Sequence, residues 1–583
     1  MIWIELSMDP HSIAIITTLL LVFGSSIIGG IIAKRLRLPA LIGYIGTGVV
    51  FGNTLTAGID AELLSRIAQV GVTLLLFTLG VEFSFHRLKN VIGAVSWAAI
   101  AQILLCVLLF VLLFLWLGFG FLPALYMAVA CSLSSTAIVV KVLSERAELD
   151  SVPGELATAW LVIQDLAVVP IMIVLPALVL VQASAGASLM GIVAVVSLGL
   201  FKSLLVLGGI WYLGRRGIPK LLNFASSINS REIFLLCTIG IVFLAAAASY
   251  AFGLSAALGA FIAGILISET SQNHAIFAEV RPLRDLFAVV FFVTLGMGLP
   301  LGDIAGSLGL LFTLSIVIML TKWFLVFGFS RYIGNHRKTA FIVAIALTQM
   351  SEFGFIIARE GVEHGALGRE AYVFLVALTF VTMTVGTMSL AHVHTLYYWF
   401  YKTLGRFLPN FFTTKHELSP NSEELSYRDH IVICGYGRVG KYIGRALEMA
   451  GVPYVVVDYN HMTVNDLKHR DIPVVYGDPA DKDVLDYAQV DVARAIVIAI
   501  PDRHTQEMII GNAQTLNRRI RIICRTHHEE DQKWLKSLGV TTIVQPEFEA
   551  ALSVINKLLT DLGVSAEDIA GKVSRLKIEH GLG

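Results

Sequence analysis

The chain has 583 residues, 56% of them apolar and only 15% charged, with a mean hydropathy of +0.76 and zero formal net charge. An ordinary soluble domain carries about 25% charged residues, so most of this protein is built for lipid, and membrane lipid is its first partner. No nucleic-acid partner is expected.

Apolar runs able to cross ~30 Å of hydrocarbon as helices recur up to residue 400. There are thirteen, at 12–33, 39–53, 66–84, 92–117, 121–143, 155–182, 189–213, 231–250, 254–269, 283–300, 304–331, 339–359 and 370–400. Alternate loops differ in basic residues. One set holds Lys34, Arg35, Arg37, Arg87, Lys89, Lys141, Arg146, Arg215, Arg216, Lys220, Arg281, Arg284, Arg331, Arg337 and Lys338, while the other offers little beyond Arg66 and Arg369. Positive loops stay inside, which predicts an outside N-terminus and cytoplasmic residues beyond 400. The start, MIWIELSMDPHS, lacks a basic n-region and a small-residue cleavage pattern, so the first span reads as a retained helix.

Two spans break the rule that a crossing helix is apolar and continuous. Span 5 contains Cys131-Ser132-Leu133-Ser134-Ser135-Thr136, whose hydroxyls compete for backbone hydrogen bonds. Span 12 contains Thr348-Gln349-Met350-Ser351-Glu352-Phe353-Gly354. They match in position if spans 1–6 and 8–13 are inverted halves, and paired interruptions point to a mid-membrane ion site. Span 6 places Gln164-Asp165 near the middle of an apolar stretch, and an intramembrane carboxylate is a functional residue by default. The plainer alternatives are that Ser134, Ser135 and Thr136 are small packing residues, that Glu352 caps a helix near an interface, and that Lys322 snorkels to a surface. Lys322 lies deep in span 11, and pairing with Asp165 in the ion-free state is the more economical expectation. Glu269 reads as a helix-end residue.

Composition changes after Tyr401. Residues 401–428 read as a linker, 429–545 as an α/β domain with strands at 430–434, 454–457, 473–476, 495–499, 520–525 and 541–544, and 546–583 as a helical tail. The first strand runs into Gly435-Tyr436-Gly437-Arg438-Val439-Gly440 and a helix, and Asp458 ends the second strand. Strand, glycines, helix and a spaced acid together form a dinucleotide-binding fingerprint. Asp458 would hold the ribose hydroxyls and repel a 2′-phosphate, which favours NAD(H) or AMP and other adenine nucleotides over NADP. Gly477-Asp478 would lie beside the adenosine; Arg438 faces phosphate or solvent. The alternative is a vestigial nucleotide fold whose glycines serve packing alone. Nothing follows the fingerprint that resembles a hydride-transfer site, so an enzyme is not expected. The five scattered cysteines have no paired spacing, and His461, His469, His504 and His527 no metal-ligand spacing.

The chain resembles the Kef-type potassium/proton antiporters, a branch of the monovalent cation:proton antiporters with a C-terminal regulator-of-potassium-conductance domain. The residues carrying the likeness are Leu38-Pro39-Ala40-Leu41-Ile42-Gly43-Tyr44, Ser134-Ser135-Thr136-Ala137, Gln164-Asp165 through Pro170, Gly253-Leu254-Ser255, Leu258-Gly259-Ala260-Phe261, Phe291-Phe292 with Gly296-Met297, Gln349, Glu352-Phe353, the Gly435–Gly440 run, Asp458 and Gly477-Asp478. The resemblance implies an all-α membrane domain of about 13 helices with crossed discontinuous helices, plus a Rossmann-like cytoplasmic domain. It implies a homodimer in a bacterial-type inner membrane, an ancillary cytoplasmic subunit as a further partner, K+ and H+ as transported ions, and Asp165 as the group that binds proton or cation in turn. Neutral Gln164 beside one acid implies electroneutral one-for-one exchange, and Lys322 matches the family's salt-bridging lysine. The acidic loop that accompanies glutathione control reads here His274-Ala275-Ile276-Phe277-Ala278-Glu279-Val280-Arg281-Pro282, with its acidity largely lost. Sodium/proton exchange on the same fold is the alternative; a nucleotide-gated potassium channel is disfavoured because no TVGYG-like filter occurs.

Overall fold

The computed structural model describes residues 10–36, 38–54, 61–82, 93–146, 148–149, 151–183, 189–228, 230–252, 256–300, 302, 306–404, 429–526 and 531–579. The expected linker beyond residue 404, Gly253-Leu254-Ser255 and His527 lie outside these. Two compact units divide the chain. The first lies within Met1–Val139, Leu156–Phe329 and Val343–Ala391, the second within Val140–Glu155, Ser330–Ile342 and His392–Gly583.

The first unit is all helix: α1 (Pro10–Arg35), α2 (Ala40–Thr54), α3 (Ala61–Glu82), α4 (Ala94–Trp116), α5 (Phe121–Ser132), α6 (Thr136–Glu145), α7 (Val152–Ala183), α8 (Leu189–Ser227), α9 (Arg231–Ala251), α10 (Ala256–Ser268), α11 (Asn273–Met297), α12 (Leu308–Tyr332), α13 (Arg337–Ala346), α14 (Phe353–Glu363) and α15 (Arg369–Ala391), with α7 and α13 beginning in the second unit and α6 and α12 ending in it. Among the described residues, seven segments are long and apolar enough to cross a membrane, one of them the interrupted Phe121–Glu145. Every expected span has a helix at its place. Spans 5 and 12 are the two that split, into α5/α6 and α13/α14.

Two packing groups emerge. Helices α1, α2, α3, α10 and α11 pack on one another, and α4, α5, α14 and α15 form a second set. Close approach in the first set needs glycine: a Cβ on Gly80 or Gly264 would meet the opposing helix backbone, as would one on Gly48 or Gly296. Without a hydrophobic driving force between helices in lipid, such tight van der Waals seams hold them together.

Two expectations are corrected. Residues 274–282, read as a loop, form the first turns of α11, where Ile276 and Val280 are buried and exposed Arg231 bonds Glu279 at 2.7 Å. Helix α8 runs beyond the apolar run that ends at 213, to Ser227, and in that extension Arg215 and Arg216 stack over Trp211 and Tyr212 one turn earlier, 5.1 and 4.8 Å from the rings.

In the second unit, α16 (Val393–Leu404) precedes a six-stranded parallel sheet of order β3-β2-β1-β4-β5-β6: β1 (Ile431–Cys434), β2 (Tyr454–Asp458), β3 (Val474–Tyr476), β4 (Ala495–Ile498), β5 (Arg521–Arg525) and β6 (Thr542–Val544). Between and after them run α17 (Arg438–Met449), α18 (His461–His469), α19 (Lys482–Tyr487), α20 (Arg503–Leu516), α21 (Asp531–Ser537), α22 (Pro546–Asp561) and α23 (Ala566–Glu579). The strands are Val/Ile runs because both faces are covered. Val432, Cys434, Val455 and Val457 pack on one side, Ile433, Val456 and Val474 on the other. This is the doubly wound dinucleotide-binding order, with its switch point between β1 and β4.

Candidate ion site and nucleotide cradle

Helix α5 ends at Ser132 and Leu133 is extended, so the chain crosses 133–135 without helical bonds before α6 starts at Thr136. The second break lies between Ala346 and Phe353. The two breaks meet: Ser134 Oγ donates to the Leu347 carbonyl at 2.8 Å. Lys322, fully buried on α12, donates to the carbonyls of Leu133 and Gln349 at 2.7 Å each. The expected partner of this lysine was Asp165. In this conformation its ammonium instead donates to carbonyls of both breaks, since carbonyls freed from a helix inside a protein are strong acceptors in need of a donor.

Asp165 on α7 is buried, and its Oδ2 accepts the Thr136 hydroxyl at 2.8 Å at the N-terminus of α6, where the helix dipole favours negative charge. Gln164 Oε1 accepts the Ser134 N–H at 2.8 Å. Ser135 and Ser351 reach the Glu352 carboxyl. Gln349 projects into space left by Gly386, where a Cβ would stand 2.6 Å from its own. Among the described residues, both polar atoms of the Gln349 amide and Glu352 Oε2 are buried without a hydrogen-bond partner. Such oxygens, gathered where half-helix ends meet, are the donor set a partly dehydrated cation uses. The structure thus gathers Ser134, Thr136, Gln164, Asp165, Lys322 and Gln349 around the crossed breaks and sets Ser135 on Glu352.

Asp165 also borders a small void lined by Leu76, Val169, Leu258, Phe261 and Phe353. A separate cavity of about 880 Å³ is lined by Arg66, Gln69, Thr73, Glu360, Glu363 and His364 at its polar end and reaches Phe291 and Ile356.

Sequence reading missed Gln102, which is fully buried on α4 and bonds Gln164, Trp160 and the Ser132 carbonyl. The available signal was its standing as a lone amide inside an otherwise apolar span.

In the second unit the glycine run forms a tight turn into α17. Gly435 has φ +89°, and a Cβ on Gly440 would collide with the Gly435 carbonyl, whereas Gly437, the N-cap of α17, faces open space. Tyr436 is buried, Arg438 is exposed at the first turn of α17 and Val439 is half-buried. Backbone amides at such a helix start suit a phosphate. Asp458 Oδ2 accepts the Tyr436 N–H at 2.6 Å and Oδ1 the Asn460 N–H at 2.8 Å. Burial pushes its carboxyl above the usual range, opposed by these N–H groups. With the Tyr459 N–H as a third backbone partner, the carboxylate keeps about one lone-pair site for a ribose hydroxyl. Gly477 packs on Val484. Asp478, expected beside adenosine, has protein partners of its own. It accepts the Ala480 N–H at 3.0 Å and pairs at 3.0 Å with Lys338, which also reaches Tyr398 and Thr505. Beside it, His394 Nε2 lies 3.2 Å from Glu148, Nδ1 lies 3.5 Å from Asp502, and Arg146 bonds Glu148 at 3.0 Å. These polar clusters escaped sequence reading because the pairs that define them, Lys338–Asp478, Glu148–His394 and His394–Asp502, lie more than a hundred residues apart.

Two interrupted helices crossing beside a buried carboxylate, joined in one chain to a doubly wound nucleotide fold, define a secondary ion transporter with a Rossmann-type unit, not an enzyme. The chain belongs to the sodium/hydrogen exchanger family: the transmembrane sodium/hydrogen exchanger model matches residues 22–395, and the TrkA-N domain model matches 431–546. It is 29% identical over 94% of its length to the putative cation/proton antiporter YbaL of Escherichia coli K12, covering 98% of that protein. It is likewise 29% identical over 96% of its length to the putative K(+) efflux antiporter KefB of Alkalimonas amylolytica, covering 84%. The sodium proton antiporter MjNhaP1 of Methanocaldococcus jannaschii shares the fold of the membrane part, with TM-score 0.50 and 14% identity over 67% of this chain and 98% of that one. The protein is therefore a multi-pass membrane antiporter.

Proposed function

We propose that this antiporter exchanges K+ for H+ one for one, with Asp165 carrying either ion in turn and an adenine nucleotide or NAD(H) regulating it from the cytoplasmic side. The observation that carries the reading is the neutral neighbour on α7: Asp165 stands beside Gln164, an amide that is used up in holding the Ser134 N–H, so this helix offers one acid where a pair would offer two. One acid that exchanges one proton for one monovalent cation moves no net charge. Gln349 and Glu352 supply further oxygens to the dehydrated ion. The protein works as a homodimer in the cell membrane with its N-terminus outside, and the cavity rimmed by Arg66 and His364 is the outer vestibule. Potassium is favoured over sodium by the names of the relatives alone.

In proteoliposomes with an internal pH dye, an outward potassium gradient is expected to drive proton uptake, and sodium to drive it at least about tenfold less well. Equal or better driving by sodium would make the protein a sodium/proton exchanger on the same site. For the regulatory half, Asp458→Ala is expected to remove the response of transport to added AMP or NADH, weakening nucleotide binding by about 10- to 100-fold through loss of one ribose hydrogen bond to a charged acceptor, worth about 1.5–3 kcal/mol. Calorimetric titration checks this, and unchanged affinity would take Asp458 out of the site.

A further inference from the structure

We infer that Gln102 is a positioning residue of the ion site, acting through Gln164; this rests on the reading of Asp165 as the exchange site. The argument is one of hydrogen-bond polarity. Trp160 Nε1 can only donate, and it lies 3.3 Å from Gln102 Oε1. That fixes the oxygen side of the Gln102 amide. Its NH2 then falls on two acceptors, the Ser132 carbonyl and Cys106 Sγ, both at 3.2 Å. A flipped Gln102 would set oxygen against the Ser132 carbonyl oxygen and NH2 against the indole N–H.

The same constraint passes onward. Gln102 Oε1 accepts from Gln164 Nε2 at 2.6 Å, so Gln164 must turn its own oxygen away, toward the Ser134 N–H, which can only donate. Both ends of the chain Trp160, Gln102, Gln164, Ser134 are groups with a single role, and only one orientation of each amide satisfies them. All four residues are buried, with Gln102, Trp160 and Gln164 at 0% exposure, so no water competes. The consequence lies two residues past Ser134. Thr136, which follows the break, donates to Asp165, so a break pinned at Ser134 holds that donor in place for the charged carboxylate that binds the cation. Gln102 touches neither ion nor carboxylate. It ties α4 to the end of α5 and, through Gln164 on α7, to the break.

Leucine at 102 keeps the volume and deletes every one of these bonds. Gln102→Leu is expected to raise the K+ concentration for half-maximal exchange about tenfold with a maximal rate within about twofold, and to move the pH profile of exchange at fixed K+ by about half a unit or more. The double variant Gln102→Leu/Gln164→Leu is expected to equal Gln164→Leu alone, because the path runs through Gln164. A merely structural role predicts additive losses and an unmoved pH profile. Should Gln102→Leu fail size-exclusion and melting checks, Trp160→Phe removes only the polarity-setting N–H and is expected to shift the half-saturating K+ in the same direction, two- to threefold. A folded Gln102→Leu or Trp160→Phe protein with wild-type half-saturation and pH profile, or additivity in the double variant, overturns the inference. Asp165→Asn separates the two levels: full exchange there overturns the site itself, whereas a dead Asp165→Asn beside an unaltered Gln102→Leu overturns only the role of Gln102.

Discussion

Asparagine at position 165 is expected to leave a folded protein that no longer couples protons to a cation gradient, with exchange falling at least about 100-fold, to the background of empty liposomes. Asparagine keeps the shape and an oxygen for the Thr136 hydroxyl, so packing has little to relax. It loses both functions the cycle needs. An amide binds no proton between pH 5 and 9, and a neutral oxygen does not repay the dehydration of a monovalent cation held away from water. Internal pH-dye traces after a potassium jump provide the measurement, with melting temperature as the folding control. Full exchange by a folded Asp165→Asn protein would remove the carboxylate from the mechanism.

Methionine in place of Lys338 is expected to destabilise the second unit by about 3–5 kcal/mol, because it strands a buried acid. Lys338 and Asp478 are both buried and 3.0 Å apart. Burial alone would raise the Asp478 carboxyl, yet the Lys338 ammonium holds it below the usual carboxylate range. Burial likewise works against Asp502 and Glu148, and His394 holds both of them low. A carboxylate whose folded pKa is depressed stabilises above its unfolded value of about 4 and loses that contribution as pH falls through the folded one. Burial also takes His336 down to about 4, so its contribution begins to fade below about pH 6.5. The unit is therefore expected to keep its stability near neutrality, weaken gradually from about pH 6.5, and fall steeply below about pH 4, with Lys338→Met flattening the steep part by removing the Asp478 share. Thermal melts across pH 3 to 8 test both statements, and an unchanged melting temperature in Lys338→Met would show the pair to be worth nothing. Helix α13, which carries Lys338, runs on into the second break, and α7, which follows Glu148, carries Asp165. Loosening these anchors is accordingly expected to weaken the response of transport to nucleotide.

Much of the site could be read from residue order. Hydroxyl-rich Ser134–Thr136 and the Thr348–Gly354 run announced the interruptions, since side chains that compete for backbone hydrogen bonds are out of place in a crossing helix. Gln164-Asp165 announced the carboxylate by its cost in lipid. Gly435, Gly437, Gly440 and Asp458 announced the cradle, because the fingerprint is local to one strand, turn and helix. What stayed hidden was pairing. Lys322 looked like the partner of Asp165 because a buried charge wants its opposite, and nothing in the chain order revealed that two bundles of freed carbonyls would compete for it more closely. The Gly-Asp setting of Asp478 gave no hint of its ion pair, because its partner Lys338 lies far upstream. Residues 274–282 looked like a loop because their charges interrupt an apolar run, although Ile276 and Val280 recur at helical spacing.

By itself the sequence determined the spans, the two points at which helices must fail, the parallel sheet and the acid in mid-membrane, all consequences of hydropathy, local propensity and the penalty on charge in lipid. Only the tertiary structure decided which donor meets which acceptor: Lys322 on the carbonyls of Leu133 and Gln349, Gln102 on Gln164, Lys338 on Asp478. The reason is physical. Burial makes every polar group choose a partner, but the choice depends on distances between helices that no stretch of the chain encodes alone.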